Sequence, residues 1–357
     1  MRILRYTLAI IMLPSFIFSQ PAFLFAEEPR IGTTYSKVQC EYFGQNWKEV
    51  YISILDMGID IIRLGAYWSR IEEKKGRYDF KYLDWQISEA KKRNIPVILT
   101  VGMKAPRWPE YFIPERILEK IQLKSGQDVS KSDYLRKETI EFVKKVVNRY
   151  RDESIICCWQ VENEPFDKSG PDRFWIGPAF LKEEVGLVRS LDPEKRPIMI
   201  NVATYPNKIL HFLNEITRPT DAASEATKLA DILGLNIYPV VGHKMQALKF
   251  YFRTSPEERI KYFAPIIQNA KKEGKDVWVT ELQAEPWEPG QVVHEGEEDP
   301  LTVSPSLMAE YLDEVLSLGI DTVLLWGAEY WLYRKERYGD TGWLDKVNAF
   351  KHTPIYE

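Results

Sequence analysis

Short apolar runs alternate along the chain with longer stretches in which apolar and charged residues repeat at helical spacing. The apolar runs are continuous and rich in β-branched residues, as strands buried on both faces of a parallel sheet require. With one weaker run at the start, they predict eight strands, over residues 31–36, 61–68, 95–102, 154–161, 196–203, 231–239, 276–282 and 321–328.

The amphipathic stretches predict helices, four of the clearest being 84–94, 134–150, 256–274 and 304–319. Several of them end in Gly or Asn just before the next apolar run, as helix ends commonly do. Strands at intervals of roughly 30 to 60 residues predict an α/β fold, a single (β/α)8 TIM barrel. The alternative is an open doubly wound sheet, but no glycine-rich phosphate turn follows an early strand.

The first 26 residues differ from the rest. Arg2 and Arg5 precede an apolar stretch, and Ala26 stands before two glutamates. This order predicts a secretory signal peptide, although Leu24 is a poor match to the small residue expected before the cleavage site. The alternative is an uncleaved membrane anchor of roughly 20 residues. Either way we expect residues 27–357, the barrel domain, to be exported: secreted or periplasmic, and at the membrane only if the segment stays uncleaved.

Composition and charge narrow the classes of function. The 357 residues are 45% hydrophobic and 28% charged, which is typical of a globular protein, and no low-complexity linker suggests a second domain. The net charge of −4 becomes −6 without the two arginines of the first segment, so no nucleic-acid partner is expected. Three cysteines argue against a disulfide framework and are interpreted as small buried residues. The four histidines are scattered, so neither a metal nor another cofactor is predicted.

In a barrel of this kind the active site is built at the carboxyl ends of the strands. The informative residues at those ends are Arg63, Asn163, Glu164, Tyr238, Glu281 and Trp326. The two glutamates are 117 positions apart, which places them across the barrel mouth from each other. Opposed carboxyl groups, one protonated and one ionised, are suited to cleaving a glycosidic bond, whereas either acid alone could equally be a structural salt bridge.

The same residues resemble a known clan. "WQVENEP" (159–165) resembles the fourth-strand motif, and "VWVTELQAEPW" (277–287) the seventh-strand motif, of retaining TIM-barrel glycoside hydrolases. Residues 63–102 look like the second and third βα units of that clan, which includes β-galactosidases, β-glucosidases, cellulases and mannanases. The resemblance covers about residues 31–330. Because "TVGMKAPRW" carries no histidine at the third strand, it is closer to the β-galactosidase-like branch than to typical cellulases.

The resemblance implies roles for individual residues. Glu164 would be the general acid/base and Glu281 the nucleophile that forms a covalent glycosyl-enzyme. Asn163 would hold the sugar 2-hydroxyl. Arg63 and Tyr238 would donate hydrogen bonds to the nucleophile and keep it ionised while Glu164 stays protonated.

Aromatic residues near the strand ends are further candidates for sugar binding. The resemblance makes Trp326 the floor of the sugar subsite. Trp287 and Glu285, in the loop after the seventh strand, could contact substrate or be solvated. Trp108 and Trp331 are candidate aromatic walls, and core packing is the alternative for each.

Glu162 stands two positions before Glu164 in an apolar segment. A buried unpaired carboxylate costs several kcal/mol, so Glu162 needs a partner or a function. We expect it on the same face as Glu164, deeper, as a buried partner within the barrel.

The sequence thus favours an exported retaining hydrolase of β-linked oligo- or polysaccharides that acts by double displacement. Two alternatives stay open: a non-catalytic carbohydrate-binding barrel, and a transglycosylase that uses the same intermediate.

Overall fold

Eight parallel strands close into a barrel surrounded by helices. The computed structural model describes residues 28–217, 220–290, 294–296 and 298–352. The barrel strands, joined in the order β1-β10-β9-β6-β5-β4-β3-β2, are β1 (Arg30–Tyr35), β2 (Ile62–Gly65), β3 (Val97–Val101), β4 (Ile156–Val161), β5 (Ile198–Ala203), β6 (Ile232–Ile237), β9 (Asp276–Gln283) and β10 (Thr322–Trp326).

Helices follow the strands and cover the outside of the barrel. They are α1 (Lys37–Phe43), α2 (Trp47–Asp56), α3 (Trp68–Ile71), α4 (Lys81–Lys92), α5 (Glu115–Leu118), α6 (Asp133–Tyr150), α7 (Pro178–Leu191), α8 (Lys208–Thr217), α9 (Ala222–Leu229), α10 (Pro256–Lys272), α11 (Pro305–Ser317), α12 (Ala328–Tyr338) and α13 (Gly342–His352). All eight predicted strands and the four predicted helices are present, so the predicted (β/α)8 barrel is confirmed.

Capping side chains fix where the outer helices begin. Ser132 accepts a hydrogen bond from the Leu135 N–H at the start of α6, at 3.3 Å. At the start of α10, Ser255 and Glu258 form a reciprocal capping box. Such caps satisfy backbone donors that have no partner within the helix, each worth about 1 kcal/mol. These capping residues therefore fix the first residue of each helix. They also fix the length of the loop that joins the preceding strand to that helix.

The barrel interior is apolar at the amino-terminal end of the strands. Seven side chains fill it: Ile61, Ile98, Cys158, Met199, Ile232, Trp278 and Leu324. The Arg30 guanidinium lies over the Trp278 ring at 5.0 Å. Apolar side chains thus fill this end of the barrel, and the polar side chains that the strands carry lie toward the opposite end. Cys158 belongs to this layer, and all three cysteines are free thiols. Cys40 and Cys158 are buried, as interpreted from the sequence, whereas Cys157 is half-buried.

One antiparallel hairpin, β7 (Val240–Met245) and β8 (Leu248–Arg253), follows β6 and was not predicted. It stands at the rim, where the Gly242 N–H donates to the Trp287 carbonyl at 2.8 Å. In the part of the chain that the structure describes, no helix is both long and apolar enough to cross a bilayer. The predicted export segment, residues 1–26, lies outside the described residues.

Candidate active site

Glu281 lies at the mouth of the barrel with both carboxyl oxygens bound. Arg63 donates to Oε1 at 2.7 Å, and the Tyr238 hydroxyl donates to Oε2 at 2.6 Å. The Arg63 side chain is fully buried and that of Glu281 is 5% exposed. A cation and a hydroxyl donor favour the ionised form of a carboxyl group, and together they fix the orientation of the Glu281 side chain.

Glu164 follows the end of β4 and faces the same mouth. Its backbone N–H donates to Asn201 Oδ1 at 2.8 Å, and its carbonyl accepts from Lys104 Nζ at 2.7 Å. Its carboxyl Oε1 accepts from Asn236 Nδ2 at 2.6 Å. Backbone and side chain are thus both fixed by groups from neighbouring strands and loops.

The environment of the mouth raises the pKa values of Glu164 and Tyr238. Burial, and then the negative charge of Glu281, raise the pKa of Glu164 to about 8, against a smaller opposing effect of Lys104. Burial and the same charge raise the pKa of Tyr238 well above its usual value, so the phenol stays a donor. At neutral pH Glu164 is therefore mainly protonated, beside a Glu281 whose two oxygens are bound by a cation and a phenol.

Asn163 is oriented by an amide network beneath the mouth. Its Oδ1 accepts from Asn201 Nδ2 at 2.9 Å and from Gln160 Nε2 at 3.2 Å. Gln160 in turn accepts from Arg63 at 3.2 Å, and Thr280 donates to Asn236 at 2.6 Å. Since two donors occupy the Asn163 oxygen, its Nδ2 is the group presented to a ligand.

Trp326 lies at the end of β10 with an arginine against one face. The Arg107 guanidinium lies 3.9 Å from the ring centre, and Arg63 lies 5.8 Å away. Arg107 is itself buried between Glu285, which it contacts directly, and Glu329 Oε2 at 2.7 Å. Burial disfavours the arginine's charge, but these two acids outweigh it and raise its pKa. The ring is thereby fixed, as a sugar platform needs to be.

The other aromatic candidates lie in different environments. Trp287 is 46% exposed and its ring meets Tyr238 edge-on, with centroids 5.1 Å apart, so it lies beside a hydrogen-bond donor to Glu281. Trp108 is 57% exposed in the loop after β3. Of the two interpretations of Trp331, core packing is confirmed and the aromatic wall is not: it is buried on α12, whose inner face it occupies, and donates to the Ala284 carbonyl at 2.6 Å.

Glu162 is buried, but it does not share a face with Glu164. Its carboxylate accepts from the Met103 and Lys104 N–H groups at 2.8 and 2.6 Å, and its side-chain partner Glu184 belongs to α7, outside the barrel. The alternation of faces ends with β4 at Val161, and both glutamates have positive φ, 60° and 44°. The expectation of one shared face was therefore wrong.

Several site residues were missed by the sequence reasoning: Lys104, Arg107, Asn201, Asn236 and Glu329. Asn201 and Asn236 stand inside apolar runs, where a buried amide needs polar partners, and this was the signal available. Lys104 and Arg107 lie in a loop, whose path the sequence pattern does not give. Among the described residues no group of His, Cys, Asp or Glu is arranged to hold a metal ion.

Comparisons with known proteins agree with this architecture. A glycoside hydrolase family 42 model, described as beta-galactosidase, matches residues 39–174. Beta-galactosidase BgaA of Clostridium cellulovorans is 27% identical over 146 residues, 38% of this chain and 21% of that protein. The putative mannan endo-1,4-beta-mannosidase 4 of Arabidopsis thaliana is 30% identical over 169 residues, 40% of each chain. The chain thus spans less than half the length of these relatives.

Among solved structures, native xylanase 10B from Thermotoga maritima superposes with a TM-score of 0.57 at 13% identity. The match covers 92% of this chain and 96% of that one, and at this identity it speaks for the fold. Together these similarities confirm the clan-level resemblance, to TIM-barrel glycoside hydrolases.

Proposed function

We propose that the protein is a retaining β-glycoside hydrolase with Glu164 as acid/base and Glu281 as nucleophile. One observation carries the proposal: at a single mouth, Arg63 and Tyr238 donate hydrogen bonds to the two oxygens of Glu281, while burial and then the charge of Glu281 raise the pKa of Glu164 to about 8. This is the division of roles that double displacement at a glycosidic bond requires.

In the first step a Glu281 oxygen attacks the anomeric carbon and the bond to the leaving oxygen breaks. Glu164 gives its proton to that oxygen, so the aglycone leaves as a neutral alcohol. Forming the glycosyl ester removes the negative charge of Glu281. Because that charge helps to raise the pKa of Glu164, the pKa falls, and Glu164 becomes suited to act as base.

In the second step Glu164 takes a proton from water, whose oxygen attacks the anomeric carbon and displaces Glu281. The sugar is released with its original anomeric configuration. Asn163 Nδ2 would donate to the 2-hydroxyl, and Trp326 would support the ring. For this chemistry we expect the two carboxyl groups to be about 5–5.5 Å apart.

The names of the relatives suggest the range of substrates. They are β-galactosidases and mannan endo-1,4-β-mannosidases, so β-linked galactosides and mannosides are the first substrates to test. The proposal includes export, which rests on the order of residues 1–26 alone.

The test is hydrolysis of a panel of aryl β-glycosides together with galactan, mannan, xylan and β-glucan oligosaccharides. Glu281→Ala should lower kcat/KM by at least about 10³-fold, because the nucleophile is lost. Added azide should restore turnover of an aryl glycoside and give a glycosyl azide. Asp313→Ala, which changes an acid on the outer helix α11, is the control.

If the unmutated protein hydrolyses no substrate of the panel but still binds sugars, it is instead a non-catalytic carbohydrate-binding barrel. Full activity of Glu281→Ala would show that Glu281 is not the nucleophile.

A further inference from the structure

A second pair of acids, Glu162 and Glu184, lies behind the site and takes no part in the proposed chemistry. Both side chains are fully buried. Glu162 follows β4, and Glu184 lies on the inner face of α7, which packs against that strand. Two carboxyl groups have thus been removed from water on the far side of β4 from the barrel mouth.

The hydrogen bonds around the pair indicate that a proton would lie between the carboxyl groups of Glu162 and Glu184. Both oxygens of Glu162 accept backbone N–H groups, from Met103 at 2.8 Å and Lys104 at 2.6 Å. Neither oxygen of Glu184 meets a donor among the residues that the structure describes, and its carboxyl faces that of Glu162 closely enough for the two to interact. A proton held between the two carboxyls satisfies this arrangement, since two adjacent buried carboxylates would repel each other.

The loop that Glu162 holds also holds Glu164. The fully buried Lys104 side chain donates from Nζ to the Glu164 carbonyl at 2.7 Å and pairs with Glu110 at 3.2 Å. Its backbone N–H is one of the two donors to Glu162. The chain of contacts therefore runs from Glu184 through Glu162 and Lys104 to the end of β4 that carries Glu164.

We propose that Glu162 and Glu184 share one proton and thereby act as positioning residues for the acid/base Glu164. The inference rests on the proposed function, because the proposed function is what makes Glu164 the acid/base. The pair sets the position of Lys104, Lys104 fixes the Glu164 backbone, and loss of the shared proton loosens the acid/base while leaving Glu281 in place across the barrel.

The surroundings of the pair favour a retained proton. Burial raises the pKa of Glu162, against the backbone donors and Lys104, and burial and the facing Glu162 raise the pKa of Glu184. The other groups that face the pair are Tyr111, whose phenol feels the charge of Glu162, and Glu183, which raises the pKa of Glu184 further. An unfolded chain loses these protons near pH 4.3, so stability falls as the pH rises from there through the raised folded-state pKa.

The test combines thermal unfolding with kinetics on two aryl β-glycosides, one with a poor leaving group that needs the Glu164 proton and one with a good leaving group that does not. Glu184→Gln supplies a permanent donor to Glu162 without a titratable proton. It should reduce the fall in Tm between pH 5 and pH 9 by about half, because Glu164 contributes the remainder. The matched control is Glu183→Gln, a neighbouring acid with a 46% exposed side chain, which should keep nearly the full fall because its charge is the smallest of the influences that raise the Glu184 pKa.

Glu184→Leu removes the shared proton but keeps the bulk. We expect kcat/KM to drop about tenfold or more on the poor leaving group and less than about threefold on the good one, and Glu184→Gln to retain near-normal rates on both. An unchanged pH dependence of Tm in Glu184→Gln, or equal losses on both glycosides in Glu184→Leu, would overturn the proposal. If the unmutated protein cleaves neither glycoside, the proposed function fails, and the thermal series, which needs no substrate, still decides whether the proton is shared.

Discussion

At the scale of single residues, the site depends on two glutamates in opposite environments. Glu281 has a cation and a phenol on its oxygens, whereas Glu164 has one neutral amide donor and a nearby negative charge. The side-chain types and their approximate positions followed from the strand ends in the sequence. The amides that orient them, Asn201 and Asn236, did not, because an amide inside an apolar run gives no indication of which neighbour it will meet.

In the proposed hydrolysis, the protonated state of Glu164 should set the alkaline limit of activity. Its pKa is raised to about 8, so the acid form is present below that pH and is lost above it. We expect kcat/KM to fall as the pH rises through about 8, since the first step needs that proton. A pH profile measured with a poor-leaving-group aryl glycoside checks this. A fall in kcat/KM that begins near pH 5 would contradict the assignment of Glu164 as the acid.

Because the Glu281 charge helps to raise the pKa of Glu164, Glu281→Gln should lower that pKa while leaving the carboxyl buried. The measurement is a pH titration of the Glu164 carboxyl by carbon NMR or infrared difference spectroscopy in protein that carries labelled glutamate. Glu288→Gln, at an acid bound by Thr302 in the loop after β9, is the control. A Glu164 pKa that stays the same or rises in Glu281→Gln would show that the two carboxyls are not coupled.

At the scale of elements, the strands were predictable and the hairpin β7–β8 was not. Continuous apolar runs identify strands buried on both faces, and this pattern holds for all eight barrel strands. The hairpin turns at Gln246 and Ala247, with Gln246 at φ 54°. Two-residue hairpin turns are usually signalled by Asn-Gly or Asp-Gly, and neither is present here.

The junction between the ends of β3 and β4 requires a glycine. Gly102 has φ 126°, and an added Cβ would lie 2.3 Å from the Glu162 carboxyl carbon. Gly102→Ala combines backbone strain with a clash against a buried acid, so we expect it to lower the free energy of unfolding by at least about 2 kcal/mol. Denaturant unfolding measures the change.

The control for that measurement is Gly44→Ala. Gly44 also has positive φ, 69°, but no atom lies within 4 Å of its added Cβ. It should therefore show the backbone cost alone, about 1 kcal/mol. Equal losses in the two variants would mean that the packing of Gly102 against Glu162 is unimportant.

At the scale of the whole molecule, the parallel barrel brings together residues that are far apart in the chain. The carboxyl ends of β2, β4, β6 and β9 lie at one mouth, and so Arg63, Glu164, Tyr238 and Glu281 meet there. The spacing of the apolar runs predicted this convergence, because every strand of such a barrel points the same way. The paths of the loops were not predictable, because side-chain contacts between loops leave no periodic pattern in the sequence. For the same reason the roles of Lys104 and Arg107 could not be predicted.

The claim that Glu281 forms a covalent bond to the sugar can be measured directly. The protein is incubated with a 2-deoxy-2-fluoro β-glycoside of a sugar that it hydrolyses, which slows release of the intermediate, and is then analysed as intact protein and as peptides by mass spectrometry. We expect one added glycosyl group, on the peptide that contains Glu281, and its absence in Glu281→Gln. An adduct on another residue, or hydrolysis of the parent glycoside with inversion at the anomeric carbon, would contradict it.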